Sequence, residues 1–208
     1  MNVLGLDLGV AKAGAARLDV DGKLRTWRWA APSTLTADTT PADVALRIRA
    51  VKRWAYGRAS TSTELVVVEE LPRGTVFGQH DERAAVVYGV IELFAAAGVP
   101  VALVNPTTLK QRISGNGRAS KDEVRSAIAR LYPRQGLARI TDDEADAAGL
   151  ATLGVARLAH LRGRPWVGPW LDAQSLNLES GFRWPAELHT TPQQRPPVPL
   201  PMFEVPTR

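Results

Sequence analysis

The sequence predicts an α/β fold built on a mixed sheet: three antiparallel N-terminal strands, then strands joined by helical crossovers, with helices on both faces. Three observations predict it. Short apolar runs in the first thirty residues are separated by an Asp-Gly turn, a valine-rich stretch follows with no polar alternation, and the later segments carry helix-cap signals.

In order, Asn2–Leu8 is short and apolar, Gly14–Leu18 follows, and Lys23–Ala30 alternates, with Asp21-Gly22 supplying a hairpin turn. Thr40-Pro41 caps and starts a helix in which Val44, Ile48, Val51 and Ala55 recur at helical spacing, ending near Gly57. Leu65–Val68 reads as a central strand covered on both faces, delivering Glu69 and Glu70 at its C-terminal end. A helix from about His80 to Ala97, a buried strand at Val99–Val104 and a helical turn after Asn105-Pro106 come next. Ser120 with Glu123, and Thr141 with Glu144, are capping-box pairs that open two further helices, the second running to about Leu161.

At 208 residues with 45% apolar content, one good core is expected. The expected division is a catalytic unit over 1–162 and an appendage over 163–208. There Trp166, Trp170 and Trp184 sit among Gly and Pro, and QQRPPVPLP lies near the end, so partial disorder is expected. The opening MNVLGLDLG lacks a signal peptide's basic start, and no run approaches a membrane span, so a cytoplasmic protein with no membrane association is expected.

With no cysteine and only His80, His160 and His189, any metal must be held mainly by carboxylates. Net charge is +5, and it is uneven. Between Asn105 and Arg139, eight basic residues against Asp122 and Glu123 give +6, leaving −1 for the rest of the chain. Lys110, Arg112, Arg118 and Lys121 flank the flexible string SGNG, a composition suited to phosphate contact.

Four acids fall at the ends of elements. Asp7 interrupts the apolar strand in GLDLG, where an unpaired carboxylate would be costly to bury. Glu69 or Glu70 ends the valine strand, one as ligand and the other as an outer neighbour. Asp143 and Asp146 in TDDEADAAGLA are spaced i, i+3 on one helical face at a helix N-terminus, with Asp142 beside them. Oxygen ligands of this kind suit magnesium or, as substitute, manganese, and two such ions a few ångströms apart promote phosphodiester hydrolysis.

These motifs resemble the RuvC Holliday junction resolvases of the RNase H-like superfamily. GLDLG, VVVEE and DEADAAGLA follow the family's order of a D-x-G-like strand, a glutamate after an apolar strand, and an alanine-rich D-x-x-D helix. NPTTLKQRISGNGRASKDEV resembles its basic loop, and the likeness spans roughly residues 1–160. It implies Asp7, Glu69, Asp143 and Asp146 as catalytic metal ligands with Glu70 and Asp142 outside them. It also implies Lys110 and Lys121 at DNA phosphates, branched DNA as substrate, and a homodimer whose two sites nick opposed strands. Arg112, Arg118, Arg73 and Phe77 complete the expected DNA-binding set. The family's junction-stacking aromatic is replaced by Pro72, leaving Phe77 to stack on a base or to pack in the core. A fork or flap nuclease and a non-catalytic junction binder are the alternatives. GLDLG also resembles the first phosphate loop of actin-like ATPases, but the second glycine-rich loop they need is missing. The tail string PLPMF resembles a sliding-clamp peptide without its leading glutamine. A bacterial cell and a phage-infected host are both compatible sources.

Overall fold

Strict alternation along the first strand, β1 (Asn2–Leu8), sorts its side chains onto two faces. Val3 enters one apolar cluster, while Leu4, Leu6 and Leu8 enter the other. The computed structural model describes residues 1–19, 21–36, 38–71, 79–163 and 180–188. β2 (Lys12–Asp19) and β3 (Leu24–Ala30) extend β1 as an antiparallel meander turned at Gly22, whose φ is 78°. β4 (Leu65–Glu69) joins β1 in parallel, and β5 (Val101–Val104) joins β4 in parallel. With a short sixth strand, β6 (Phe182–Arg183), the order is β3-β2-β1-β4-β5-β6.

α1 (Pro41–Tyr56) and α2 (His80–Ala96) cover one face, burying Val51, Val90 and Phe94 against Leu4, Leu6, Val66 and Val68. α1 is capped as its sequence foretells: the Thr40 hydroxyl accepts from the Asp43 amide, and Pro41 occupies the first turn, where its missing N–H costs nothing. α3 (Pro106–Ser114), α4 (Lys121–Leu131) and α5 (Asp142–Leu161) lie on the other face. Both capping boxes, Ser120 with Glu123 and Thr141 with Glu144, are closed in both directions. α5 is buried all round from Ala147 to Ala159, as befits a central helix. Full burial of each of Leu150, Leu153 and Leu158 contributes about 1.5–3 kcal/mol.

The close seat of α5 depends on two glycines. A Cβ on Gly5 would stand 2.1 Å from the Ala147 carbonyl oxygen, and one on Gly14 would stand 1.9 Å from that of Asp143. Both lie on the α5 face of adjacent strands, so this helix rests its backbone on theirs.

Two details differ from the sequence reading. β5 begins at Val101 instead of Val99, since Pro100 has no N–H for the ladder, although its carbonyl accepts from Val66. In the stretch assigned to the appendage, β6 (Phe182–Arg183) pairs antiparallel with β5. Phe182 stacks on Trp184 at 5.1 Å between ring centroids, Arg157 lies over Trp184 at 5.4 Å, and Leu188 joins the α5-side core. Trp166, Trp170 and the Pro-rich end lie outside the described residues.

Candidate active site

Register decides which acids can meet. β1 and β4 are parallel with Leu6 beside Val68, so Asp7 and Glu69 end neighbouring strands at the same edge of the sheet. Both point to the α5 face, because Gly5 on β1 and Val67 on β4 do. Packing of α5 over the two glycines brings Asp146 to the same point. Carboxylate oxygens of Asp7, Glu69 and Asp146 all lie within 4.8 Å of one another, a spacing that could hold a metal ion.

Asp143 stands one turn earlier and falls outside that group of three. It is half-buried, and burial followed by the charge of Asp7 raises its pKa. The Glu69 carboxyl is driven well above the usual range, first by burial and then by the charge of Asp7, with Arg83 opposing. Asp146 is raised from an ordinary 3.8 to about 7 by burial and by Asp7, against the lowering influence of Lys110 and Lys121.

Glu69 and Glu70 separate by face, and Glu69 is the one in the group of three. Glu70 turns to the opposite side of the sheet, where its carboxylate accepts from Arg183 at 2.8 Å and its amide donates to the Val104 carbonyl. Asp142 is likewise engaged, by Lys121 Nζ at 3.2 Å and Arg125 Nη1 at 2.5 Å. That bond to Asp142 is the leading cause of the raised Lys121 pKa.

The basic loop is more ordered than its composition implies. Gly115 takes a left-handed φ of 82° to end α3, and the Gln111 side chain clamps the turn by donating to the Gly115 carbonyl and accepting from the Gly117 amide, each at 2.9 Å. Ser114 donates to the Lys110 carbonyl at 2.8 Å. Arg118 is exposed, and Lys110 and Arg112 are half-buried. Lys110 acts electrostatically on Asp146, which sets this wall beside the acids. Arg73 and Phe77 lie outside the described residues.

Sequence reasoning missed Arg83. From the first turn of α2 it donates through Nε to the Leu8 carbonyl at 2.8 Å, and its Nη2 stands 3.4 Å from Asp7 Oδ1 and 3.6 Å from Glu69 Oε2. An arginine in HDER looks like an ordinary helix charge, and only the fold brings it over the strand ends.

No protein-family model matches the chain. A crossover junction endodeoxyribonuclease RuvC of Saccharopolyspora erythraea is 33% identical over 186 residues, covering 84% of this chain and 84% of that protein. The RuvC of Burkholderia thailandensis is 32% identical over 192 residues, covering 87% of this chain and 98% of the relative. The chain belongs to the RuvC family. The solved structure of Thermus thermophilus RuvC superposes with a TM-score of 0.54 at 25% identity, covering 73% of this chain and 91% of that one. The structure of T. thermophilus RuvC in complex with Holliday junction substrate gives a TM-score of 0.56 at 21% identity, over 73% and 90% of the two chains, and supports the same fold. The six-stranded sheet is thus the RNase H-like one of RuvC, as the motifs implied. Among the described residues no helix is long and apolar enough to cross a membrane.

Proposed function

We propose that this RuvC-family chain is a metal-dependent, structure-selective endodeoxyribonuclease that resolves Holliday junctions by paired nicks. The observation that carries the proposal is the convergence of Asp7, Glu69 and Asp146, from three separate elements, to within 4.8 Å. The donor set fits a hard divalent cation, since it is all oxygen. Repulsion from Asp7 reinforces burial in raising Glu69 and Asp146, and a cation would relieve that repulsion.

We assign Asp7, Glu69 and Asp146, with Asp143 completing the set, to two Mg2+ ions per site, Mn2+ serving as substitute. Bound ions would supply Lewis acidity at the scissile phosphate and neutralise charge there. The chain's own side chains supply the rest. Asp142 orients Lys121 through their ion pair, and Lys110, with no ion-pair partner among the described residues, would meet a phosphate beside the acids. Arg112 and Arg118 extend that surface, and Arg73 and Phe77 are assigned to the DNA from the segment after Glu70. Glu70 steadies the outer end of the sheet through Arg183.

Two sites in a homodimer would nick opposed strands of one junction. We take the nuclease unit as 1–162 and the appendage as 163–208, with Phe182 and Arg183 of the latter paired to β5. A cytoplasmic setting in a bacterial cell or phage-infected host, and clamp binding through Pro199–Phe203, belong to the same proposal. Clamp affinity unchanged by removal of those five residues would eliminate that last part.

Cleavage of a four-way junction, a fork, a flap and a linear duplex in parallel, with and without Mg2+, tests the main reading. Preference for the four-way junction with symmetric nicks is expected. Equal cutting of all four would overturn junction selectivity, and a preference for the fork or flap would select that alternative.

A further inference from the structure

Besides Lys110 and Lys121, a second pair of cations borders the acids, on the strand side of α5. Lys12 opens β2 and Arg28 lies on β3, both exposed. Their facing follows from alternation. Gly14 meets the Asp143 backbone, so Lys12, two residues earlier, projects to the same α5 face. On β3, Leu24 enters the α5-side core and the Thr26 hydroxyl donates to Glu144 Oε1 at 2.9 Å, so Arg28 follows on that face. Arg28 is registered opposite Gly14, and Lys12 opposite Ala30, which makes the two cations diagonal neighbours.

This pair is not absorbed by the fold. Asp142 takes up Lys121 and Arg125, and Asp7 and Glu69 engage Arg83, whereas neither Lys12 nor Arg28 has an ion-pair partner among the described residues. Gly14 is registered opposite Asp7 and meets the Asp143 backbone, so Lys12, two residues away on the same face, stands next to the acids. On the other side, Lys121 of α4 pairs with Asp142 at 3.2 Å, and α3, which carries Lys110, packs on α5 at Gly149 through Leu109 and Ile113. The N-terminal end of α5, which carries the acids, is therefore approached by cations from two directions: from α3–α4 and from the β2–β3 edge.

We propose that Lys12 and Arg28 form a second phosphate-binding wall, gripping the DNA backbone across the acid site from Lys110 and Lys121. The partner is the polyanionic nucleic-acid backbone, whose phosphates are the charge complement of two exposed cations beside the acids. A nucleic-acid strand crossing the acids would meet a phosphate-binding side chain before and after the cut, which fixes its direction across the N-terminus of α5. This inference rests on the nuclease reading above.

The test is the salt dependence of binding of the full-length protein to a labelled four-way DNA junction in EDTA, where cleavage is prevented. Each phosphate contact removed lowers the log-log salt slope by about 0.9. Lys12→Ala and Arg28→Ala should each flatten the slope by about that amount, and the double variant by about twice it. Lys12→Arg should restore it. Lys23→Ala, an exposed lysine at the far end of the same hairpin, should leave it unchanged. Wild-type slope in Lys12→Ala and Arg28→Ala, with normal circular dichroism, would overturn the second wall while leaving the nuclease reading standing. Absence of junction binding by the wild type would remove both.

Discussion

Arg83 Nη2 stands 3.4 Å from Asp7 Oδ1, which places a fixed positive charge where a metal ion's charge would also be favoured. The same guanidinium reaches Glu69 and is anchored by the Leu8 carbonyl, so it ties α2 to the ends of β1 and β4. It therefore acts as an internal counter-ion to the two carboxylates.

Arg83→Gln should consequently bind Mn2+ more tightly than wild type in calorimetric titration and be less stable in EDTA. The pair is partly exposed, so the stability loss should be about 1 kcal/mol or less. For a chain of this size that is a fall in Tm of about 2–4 °C. Unchanged metal affinity and unchanged Tm would show that the arginine is a bystander.

Gly14→Ala should destabilise the protein by about 1–3 kcal/mol, because the added methyl meets the backbone of α5, which cannot swing aside as a side chain can. Urea unfolding measures this. The same substitution should weaken Mn2+ binding, since displaced α5 carries Asp146 away from Asp7. Wild-type stability would mean that α5 is seated less tightly than the glycine contacts indicate.

Glu69→Gln and Glu70→Gln separate the two neighbouring acids. The first should abolish Mg2+-dependent junction cleavage, while the second should retain it and lose the pairing with half-exposed Arg183, a contact worth about 0–1 kcal/mol. The reverse pattern of activities would reassign the ligand.

Asp146 carries a pH prediction. Its pKa is raised in the folded chain to about 7 from an ordinary 3.8, so between those values the folded state holds more protons than the unfolded one. Its contribution to stability therefore falls as pH rises through that window and levels off above about 7. Cations compete with the same proton, so apparent Mn2+ affinity should climb up to about pH 7 and then flatten. Thermal melts in EDTA and metal titrations across this range check both trends. Asp146→Asn should reduce the stability trend, leaving the share that raised Glu69 and Asp143 contribute, and an undiminished trend would assign it to those two groups.

Much of this arrangement is legible in the sequence because local rules and burial agree. Thr40-Pro41, Ser120/Glu123 and Thr141/Glu144 each mark a helix start that the fold realises, and the valine run before Glu69 occupies the sheet interior. Asp7 stands out since a carboxylate in an apolar strand needs a reason. What stays hidden depends on distance across the fold. Nothing in HDER identifies Arg83 as a partner of Asp7, and the face that separates Glu69 from Glu70 follows only from strand register. The docking of Phe182 and Trp184 on β5 is invisible in a Gly- and Pro-rich stretch because it spans nearly eighty residues of chain. Asp143 lies outside the group of three because its i, i+3 spacing to Asp146 fixes a shared helical face, not an equal distance to Asp7.

The most direct measurement is four-way junction cleavage by wild type and Asp7→Asn at matched protein and Mg2+ concentrations, with Mn2+ binding followed in the same samples. Loss of cleavage together with weakened Mn2+ binding in Asp7→Asn, the variant remaining folded, is the expected result. Cleavage and Mn2+ binding at wild-type levels in that variant would contradict the assignment of the acid cluster as the catalytic metal centre.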